Sequence, residues 1–190
     1  MRCLACQCFS VKIICKDCQK NLLSPSLYKR ELSKGFFVYS FYKFEEIKEF
    51  INTKYEFYGD RVFNILASLS FTKFAQNFSY ENDIYAIPID DHTRHEFSHT
   101  AILAKHLKSK YIIPKFDVLK ATNIVKYAGK DLDFRNKNKR NFLYKGLSNI
   151  QVILVDDVIT TGSTILEAKE ILANYNCEVL FVLCISDVNM

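Results

Sequence analysis

The chain has 190 residues, an apolar fraction of 49%, a charged fraction of 25% and a formal net charge of +5, as expected for a soluble globular protein with one sizeable core. No apolar run approaches the ~20 residues of a membrane-spanning helix, and the first residues lack the charged-then-apolar pattern of a signal peptide. We therefore expect a cytoplasmic protein with no membrane span, whose modest positive charge permits acidic partners without requiring them.

Four cysteines near the N-terminus have the spacing Cys-x2-Cys-x8-Cys-x2-Cys, and they are Cys3, Cys6, Cys15 and Cys18. Two such knuckles can place four thiolates tetrahedrally around one Zn²⁺ ion. The segment has too few apolar residues for its own core, so bound metal would supply its folding energy. Zinc is favoured over disulfides in a cytoplasmic protein, and the alternative is a set of unligated thiols. We predict a structural zinc module over residues 1–23, with Cys8 either spare or an alternative ligand.

Residues 24–83 are predicted to contain a linker, an aromatic strand and helices that pack on the core. The stretch 24–34 contains a proline and shows no periodicity, which is typical of a linker. Residues 36–42 are aromatic and strand-like. The spacing of apolar residues then predicts two helices, one over 45–55 and one over 59–76.

Strands and helices alternate over residues 84–190, which predicts an α/β core. Residues 84–89 are a predicted buried strand, and a helix follows over 97–107 with Ser98 as its N-cap. Residues 179–185 are the last predicted strand. The predicted fold is a doubly wound, mainly parallel sheet of the kind that binds ligands beyond the carboxyl ends of its strands.

Residues 152–164 run from a buried strand, through a loop of small hydroxylated residues, into the N-terminus of a helix. Unpaired backbone N–H groups, side-chain hydroxyls and the positive end of the helix dipole all favour a phosphate group there. Gly162 would let the backbone approach that phosphate closely. The predicted phosphate-binding residues are Thr160, Thr161, Gly162, Ser163 and Thr164.

Asp156 and Asp157 lie just before this loop. Carboxylates beside a phosphate would repel it unless they face hydroxyl groups or a cation of the same ligand, and a sugar phosphate meets this condition. The thirteen residues of this stretch resemble the signature of the type I phosphoribosyltransferases. The resemblance implies phosphoribosyl pyrophosphate with Mg²⁺ as the ligand, and its ribose on the two acids. It also implies that Pro88, Ile89 and Asp90 approach the pyrophosphate. The alternative is an ordinary strand and helix of a doubly wound fold.

The segment 119–145 is basic and weakly periodic, with eight Lys or Arg residues against two acids. Its length and polarity predict a mobile loop between two strands, and such loops in compact domains are usually functional lids or disordered. It is interpreted either as a lid over pyrophosphate or as a strip for nucleic-acid phosphates, and the alternative is a solvated loop. The cations suited to either role are Lys126, Lys130, Arg135, Lys137, Lys139 and Arg140.

Over most of its length the chain resembles the ComF family of bacterial competence proteins. The resemblance rests on the paired cysteines, residues 87–89, residues 97–101, the basic segment with Arg135 and Asn138, and residues 152–164. It implies a factor for DNA uptake in natural transformation that binds phosphoribosyl pyrophosphate and contacts single-stranded DNA or competence proteins.

The alternative function is an active phosphoribosyltransferase that transfers the phosphoribosyl group to a nucleobase. Purine enzymes of this type tend to carry an acid at the position of Thr160. The hydroxylated loop is therefore more similar to that of the orotate enzymes, and no distinct base-recognition motif is visible in the sequence.

Overall fold

The computed structural model describes residues 1–89, 97–123 and 140–190. Within them, eight strands are present: β1 (Tyr28–Ser33), β2 (Phe36–Lys43), β3 (Ile84–Pro88), β4 (Ile112–Pro114), β5 (Leu119–Ala121), β6 (Phe142–Tyr144), β7 (Gln151–Ile159) and β8 (Glu178–Asp187). The central sheet has the order β1-β2-β8-β7-β3-β4, while β5 and β6 form a separate antiparallel pair. The loop predicted over 119–145 is therefore wrong at its two ends, which are strands. In the central sheet β1 is antiparallel to β2 and the other neighbouring pairs are parallel. The predicted α/β class with a mainly parallel sheet is confirmed.

Six α-helices lie in the same described ranges: α1 (Lys16–Leu22), α2 (Phe44–Asn52), α3 (Gly59–Leu69), α4 (Phe71–Asn77), α5 (His99–Lys105) and α6 (Ser163–Ala173). The predicted N-cap of α5 is confirmed, because the Ser98 hydroxyl accepts a hydrogen bond of 3.2 Å from the Ala101 N–H. The longest of these helices have eleven residues. In the described parts of the chain, none combines the length and apolarity that a bilayer span requires.

The single helix predicted over 59–76 is wrong, because the chain forms α3 and α4 with a break at Ser70. The buried Ser70 hydroxyl donates to the Leu66 carbonyl oxygen at 2.7 Å, the local side-chain bond by which serine competes with helical hydrogen bonding. The helix predicted over 45–55 is shorter than expected, since α2 ends at Asn52 and a 3₁₀ turn continues over Thr53–Tyr55. That turn carries Lys54.

Both faces of the central sheet are covered, as an uninterrupted run of apolar residues in β7 predicts. Side chains alternate along a strand, so Ile153 and Val155 point to one face while Val152 and Leu154 point to the other. The first pair belongs to a core that includes buried residues of α2–α5. The second pair belongs to a core that includes buried residues of α6, β5 and β6.

The N-terminal cysteine segment packs into the first of these cores. Ile14 and Leu23 are fully buried there together with Cys3. The Tyr42 hydroxyl in β2 donates to the Leu23 carbonyl oxygen at 3.2 Å. The expectation that metal alone would support this segment is therefore corrected, because apolar burial contributes as well. The division of the chain into 1–23, 24–83 and 84–190 stays a prediction.

The linker predicted over 24–34 is wrong for residues 28–33, which form the edge strand β1. Half-buried residues (Tyr28, Arg30 and Leu32) alternate there with exposed ones. An edge strand that is only partly covered on one face needs few apolar residues, so its hydrophobic period is weak. This strand supports the candidate site.

Candidate functional site

The candidate site lies at the carboxyl end of the parallel strands, where β7 leads into α6. The sequence predicted that the strand would end before Asp156, but β7 continues through both acids to Ile159 and pairs Asp156 with Cys184 of β8. The Asp157 N–H donates to Asp156 Oδ1, and the Val158 N–H donates to Asp157 Oδ1, both at 2.8 Å. Each carboxylate is therefore held locally by the next backbone amide.

Asp157 is directed to the sheet face that carries α5, and only 5% of it is exposed. Its Oδ2 lies 2.7 Å from Lys54 Nζ and 3.5 Å from His99 Nε2. Burial alone would raise the pKa of this carboxyl group, but attraction to Lys54 and His99 outweighs burial and holds the pKa well below its usual range. Asp157 is thus an internally paired acid.

Asp156 differs from its neighbour, because successive strand residues point to opposite faces. Loss of solvation and repulsion by Asp157 raise its pKa well above the usual range, although the Asp157 amide and the charges of Arg140 and Lys54 partly oppose the rise. Asp156 is only partly buried and so remains within reach of a ligand. The two acids, which the sequence presents as an equivalent pair, have different environments.

Arg140 is close enough to Asp156 to influence its pKa. The backbone around Arg140 is held by Glu167 of α6, which accepts hydrogen bonds from the N–H groups of Arg140 and Asn141 at 3.1 and 2.7 Å. The sequence grouped this arginine with five lysines and arginines of the basic segment. Those five, Lys126, Lys130, Arg135, Lys137 and Lys139, lie outside the described residues.

The loop before α6 has a backbone geometry that requires glycine at position 162. Gly162 has φ +81°, the left-handed region that other residues rarely adopt. A Cβ atom there would lie 2.5 Å from Leu32 Cδ2 of β1, so the missing side chain makes room for a neighbouring strand. Thr161 is exposed, while Thr160, Ser163 and Thr164 are partly exposed, and the hydroxyls of Thr161 and Ser163 lie 3.1 Å apart.

Edge strand β1 and the C-terminus support this loop from outside. Arg30 Nε lies 2.6 Å from Oδ2 of the fully buried Asp187, and Arg30 Nη2 donates to the Thr160 carbonyl oxygen at 3.1 Å. Asn189 Nδ2 donates to the same oxygen at 2.6 Å. Sequence reasoning missed these residues, because no local pattern links Arg30 to an acid 157 positions away.

The end of β3 lies beside β7, with which it pairs in parallel. The Ile89 N–H donates to the Val155 carbonyl oxygen at 2.8 Å, and the Thr100 hydroxyl donates to the Ile89 carbonyl oxygen at 2.9 Å. Pro88 and Ile89 are both buried. Asp90, predicted to approach the pyrophosphate, lies outside the described residues.

The four predicted metal ligands, Cys3, Cys6, Cys15 and Cys18, come together with all of their sulfur atoms within 4.8 Å of one another. A Zn²⁺ ion with four sulfurs at ~2.3 Å would place them about 3.8 Å apart, so the arrangement fits a tetrahedral site. The sulfurs of Cys3 and Cys15 accept hydrogen bonds from backbone N–H groups at 3.2 and 3.4 Å. Burial would raise the pKa of Cys3, but amides of residues 15, 6 and 5 outweigh it and lower the pKa to about 6. These four cysteines could bind a metal such as zinc.

The remaining cysteines do not join this group. All seven cysteines lie in the described residues and none forms a disulfide. Cys8 is exposed, and its sulfur is not part of the four-sulfur cluster. Cys177 and Cys184 are buried in the second core.

A comparison with family models adds to this geometry. Residues 118–189 match the family model of the phosphoribosyl transferase domain. The C-terminal part of the chain is therefore similar to phosphoribosyltransferase domains. The match includes both acids and the whole loop before α6, and it does not extend to the cysteine cluster. None of the curated proteins compared with the chain matches it.

Proposed function

We propose that the chain binds phosphoribosyl pyrophosphate at the carboxyl end of its parallel sheet. One observation carries the proposal: within the matched stretch, a partly exposed hydroxyl loop at a helix N-terminus is separated by two residues from a preceding pair of acids. Residues 160–164 would hold the 5′-phosphate through hydroxyls and backbone N–H groups. Asp156 and Asp157 are assigned to the ribose side of the ligand, and Pro88, Ile89 and Asp90 to the pyrophosphate side.

Magnesium is proposed to enter with this ligand. Mg²⁺ prefers oxygen ligands and usually keeps several waters while it contacts one or two carboxylates and the phosphates of a substrate. The donor set fits such an ion, because Asp156 offers a partly exposed carboxylate and the ligand supplies the remaining oxygens. When bound, the ion would contribute positive charge against the pyrophosphate.

We further propose that the protein acts as a ComF-like factor in DNA uptake during natural transformation. The support is the combination, in one chain, of an N-terminal cluster of four cysteines with a phosphoribosyltransferase domain, which is what the ComF resemblance implies. The cysteine cluster would be a structural zinc site, closed by four thiolates and without chemistry of its own. The basic segment 119–145 would contact single-stranded DNA. We also propose that the protein is cytoplasmic and binds other competence proteins.

An active phosphoribosyltransferase is the second candidate, and the domain match favours it. A nucleobase nitrogen would form a bond to the anomeric carbon while the bond from that carbon to pyrophosphate breaks. The leaving group takes the electron pair of that bond. An oxocarbenium-like transition state of this kind needs mainly positioning and stabilisation of the leaving group, which acids and a phosphate loop can supply.

Isothermal titration of the whole protein with phosphoribosyl pyrophosphate and Mg²⁺ tests the binding proposal. We expect saturable binding that Asp156→Asn weakens about 100-fold, which corresponds to a loss of roughly 2.7 kcal/mol. The matched control is Asp117→Asn, which changes an exposed acid outside the site. A wild-type protein that gives no binding isotherm would contradict the proposal.

Pyrophosphate release over a panel of nucleobases then separates the two candidates. Pyrophosphate release that requires one particular base would favour the enzyme, and orotate is the first base to test. Binding without release from any base would favour a DNA-uptake factor that uses the pocket to sense or order a ligand.

A further inference from the structure

Lys54 belongs to no sequence motif, yet its side chain reaches the acidic pair from the 3₁₀ turn that follows α2. The turn is held by the Thr53 hydroxyl, which donates to the Phe50 carbonyl oxygen at 2.6 Å. Gly59 packs against the same turn, and a Cβ atom on Gly59 would collide with the Thr53 carbonyl oxygen. The backbone just before Lys54 is therefore held in place, and from it the ammonium group reaches Asp157.

The Asp157 carboxylate that receives this ammonium group has protein partners on both of its oxygens. Oδ2 accepts from Lys54 Nζ at 2.7 Å and lies 3.5 Å from His99 Nε2, while Oδ1 accepts from the Val158 N–H at 2.8 Å. The Lys54 and Asp157 side chains are only 20% and 8% exposed. A pair this well covered is weakly screened by solvent, and the loss of one member leaves the other buried without compensation.

Lys54 also responds to both acids. Burial alone would lower the pKa of its ammonium group, but attraction and hydrogen bonding to Asp157, with a smaller contribution from Asp156, raise it above the usual range. Its positive charge therefore lies 2.7 Å from the Asp157 carboxylate and also acts on Asp156.

We propose that Lys54 is a positioning residue of the ribose-phosphate site, which fixes the Asp157 carboxylate against α5 so that the two acids act unequally. Asp156 meets the ligand directly, while Asp157 holds the shape of the site through Lys54 and His99. This inference rests on the proposed binding of phosphoribosyl pyrophosphate, and it assigns a part in that binding to a residue outside the matched domain.

The test is a double-mutant cycle on the whole protein, titrated with phosphoribosyl pyrophosphate and Mg²⁺. We expect Lys54→Met and Asp157→Asn each to weaken binding about 10-fold, and the double variant to be no weaker than the worse single variant, because both remove one interaction. Lys54→Arg should stay within about 3-fold of the wild type, since it keeps the charge. The control is Lys48→Met, which removes an exposed lysine paired with Glu45 one helix earlier.

A second measurement distinguishes positioning from a general loss of stability. We compare the affinities for ribose 5-phosphate and 2-deoxyribose 5-phosphate in variants that remain folded by circular dichroism, with Lys54→Gln as the substitute if Lys54→Met does not fold. A positioning role predicts that the preference for the ribose ligand shrinks in the Lys54 variant and returns in Lys54→Arg. A purely structural role predicts an equal loss of affinity for both ligands.

The outcomes separate this inference from the function on which it rests. Additive effects in the cycle, an unchanged or higher affinity in Lys54→Met, or an unchanged ribose preference would overturn the inference while wild-type binding stands. Absence of binding in the wild-type protein would instead overturn the proposed function.

Discussion

The cysteine cluster and the phosphate loop are both candidate sites, but the residues that form the first are close together in the sequence, whereas those that support the second are far apart. All four sulfurs of the cluster come from residues 3–18, and short backbone bonds such as that from the Cys18 N–H to Cys15 Sγ orient them. The phosphate loop is held by Arg30 in β1, which pairs with Asp187 at the end of β8 and donates to Thr160, and the acid Asp157 before the loop is paired with Lys54 in a 3₁₀ turn. A local site is specified by spacing, whereas a site built from distant elements exists only when the sheet has formed.

The largest expected effect concerns the local site. We expect one zinc ion per chain by elemental analysis, and its loss in a Cys15→Ser/Cys18→Ser variant, because two of four ligands are removed. Structural zinc contributes about 10–16 kcal/mol in small zinc peptides, so the module should unfold without it. Since Ile14 and Leu23 share the main core, we also expect a lower melting temperature for the whole protein.

Cys8→Ser is the matched control for that experiment, because its sulfur lies outside the cluster. Zinc retained in the double variant would show that other ligands hold the metal. An unchanged melting temperature after removal of the metal would show that the module and the main core fold independently.

The next largest effect tests the distant supports of the phosphate loop. Arg30→Met should destabilise the protein by about 3 kcal/mol, because the fully buried Asp187 loses its cation. The variant should also bind phosphoribosyl pyrophosphate more weakly, since the Thr160 carbonyl loses one of its donors. Denaturant unfolding and calorimetric titration measure the two effects.

Arg30→Lys serves as the control for charge, since it keeps a cation but cannot donate to both Asp187 and Thr160 in the same way. We expect its stability to lie between those of the wild type and Arg30→Met. Equal stability of all three proteins would show that this ion pair does not support the loop.

A smaller effect separates the basic segment from the site. If the segment follows a DNA backbone, single-strand binding should fall with salt by a slope of roughly −0.7 per phosphate contact. Lys137→Ala/Lys139→Ala should then flatten the slope by about 1.4, measured by fluorescence anisotropy at several salt concentrations. Arg140→Ala should instead weaken phosphoribosyl pyrophosphate binding, because Arg140 lies near Asp156.

Each variant is the control for the other. Lys137→Ala/Lys139→Ala should leave the binding of phosphoribosyl pyrophosphate unchanged, and Arg140→Ala should leave the binding of DNA unchanged. A double variant that loses phosphoribosyl pyrophosphate affinity but keeps its DNA binding would assign the basic segment to the pocket. A wild-type protein with no single-strand affinity at low salt would contradict the direct DNA contact.

The smallest expected effect is a dependence of stability on pH through His106, which follows the last residue of α5. Its Nδ1 lies 2.9 Å from Thr72 Oγ1 and its Nε2 lies 3.1 Å from Asn64 Oδ1, so it links α5 to α3 and α4. Burial and the charge of Lys105 lower its pKa. The folded state disfavours protonated His106, so its contribution to the free energy of unfolding is fully present above pH ~6.5. That contribution is lost as the pH falls through the lowered pKa of the folded state.

We expect His106→Asn to remove that part of the pH dependence, measured as melting temperature between pH 7.5 and 5. The effect should stay below about 1 kcal/mol, since the side chain is only partly buried. An identical pH profile in the variant would show that His106 does not titrate on unfolding.

The sequence alone determined the features that are encoded by residues close together in the chain. The cluster of four cysteines within residues 3–18 and the Ser98 cap rest on local interactions, and the apolar run of β7 and the glycine at position 162 are visible as short sequence patterns. Alternating strands and helices likewise predicted the parallel sheet, because a buried parallel strand needs an apolar run and a crossover helix.

Only the tertiary structure decided which residues complete the phosphate loop and how the two acids differ. The pairs Arg30–Asp187 and Lys54–Asp157 join residues 157 and 103 positions apart, and no local pattern encodes such contacts. The edge strand β1 was taken for a linker because it buries little apolar surface, and Ser70 broke a helix whose apolar period continues through it. Pairing a carboxylate with a cation in a buried place depends on the folded sheet, which is why Asp156 and Asp157 look alike in sequence and not in the protein.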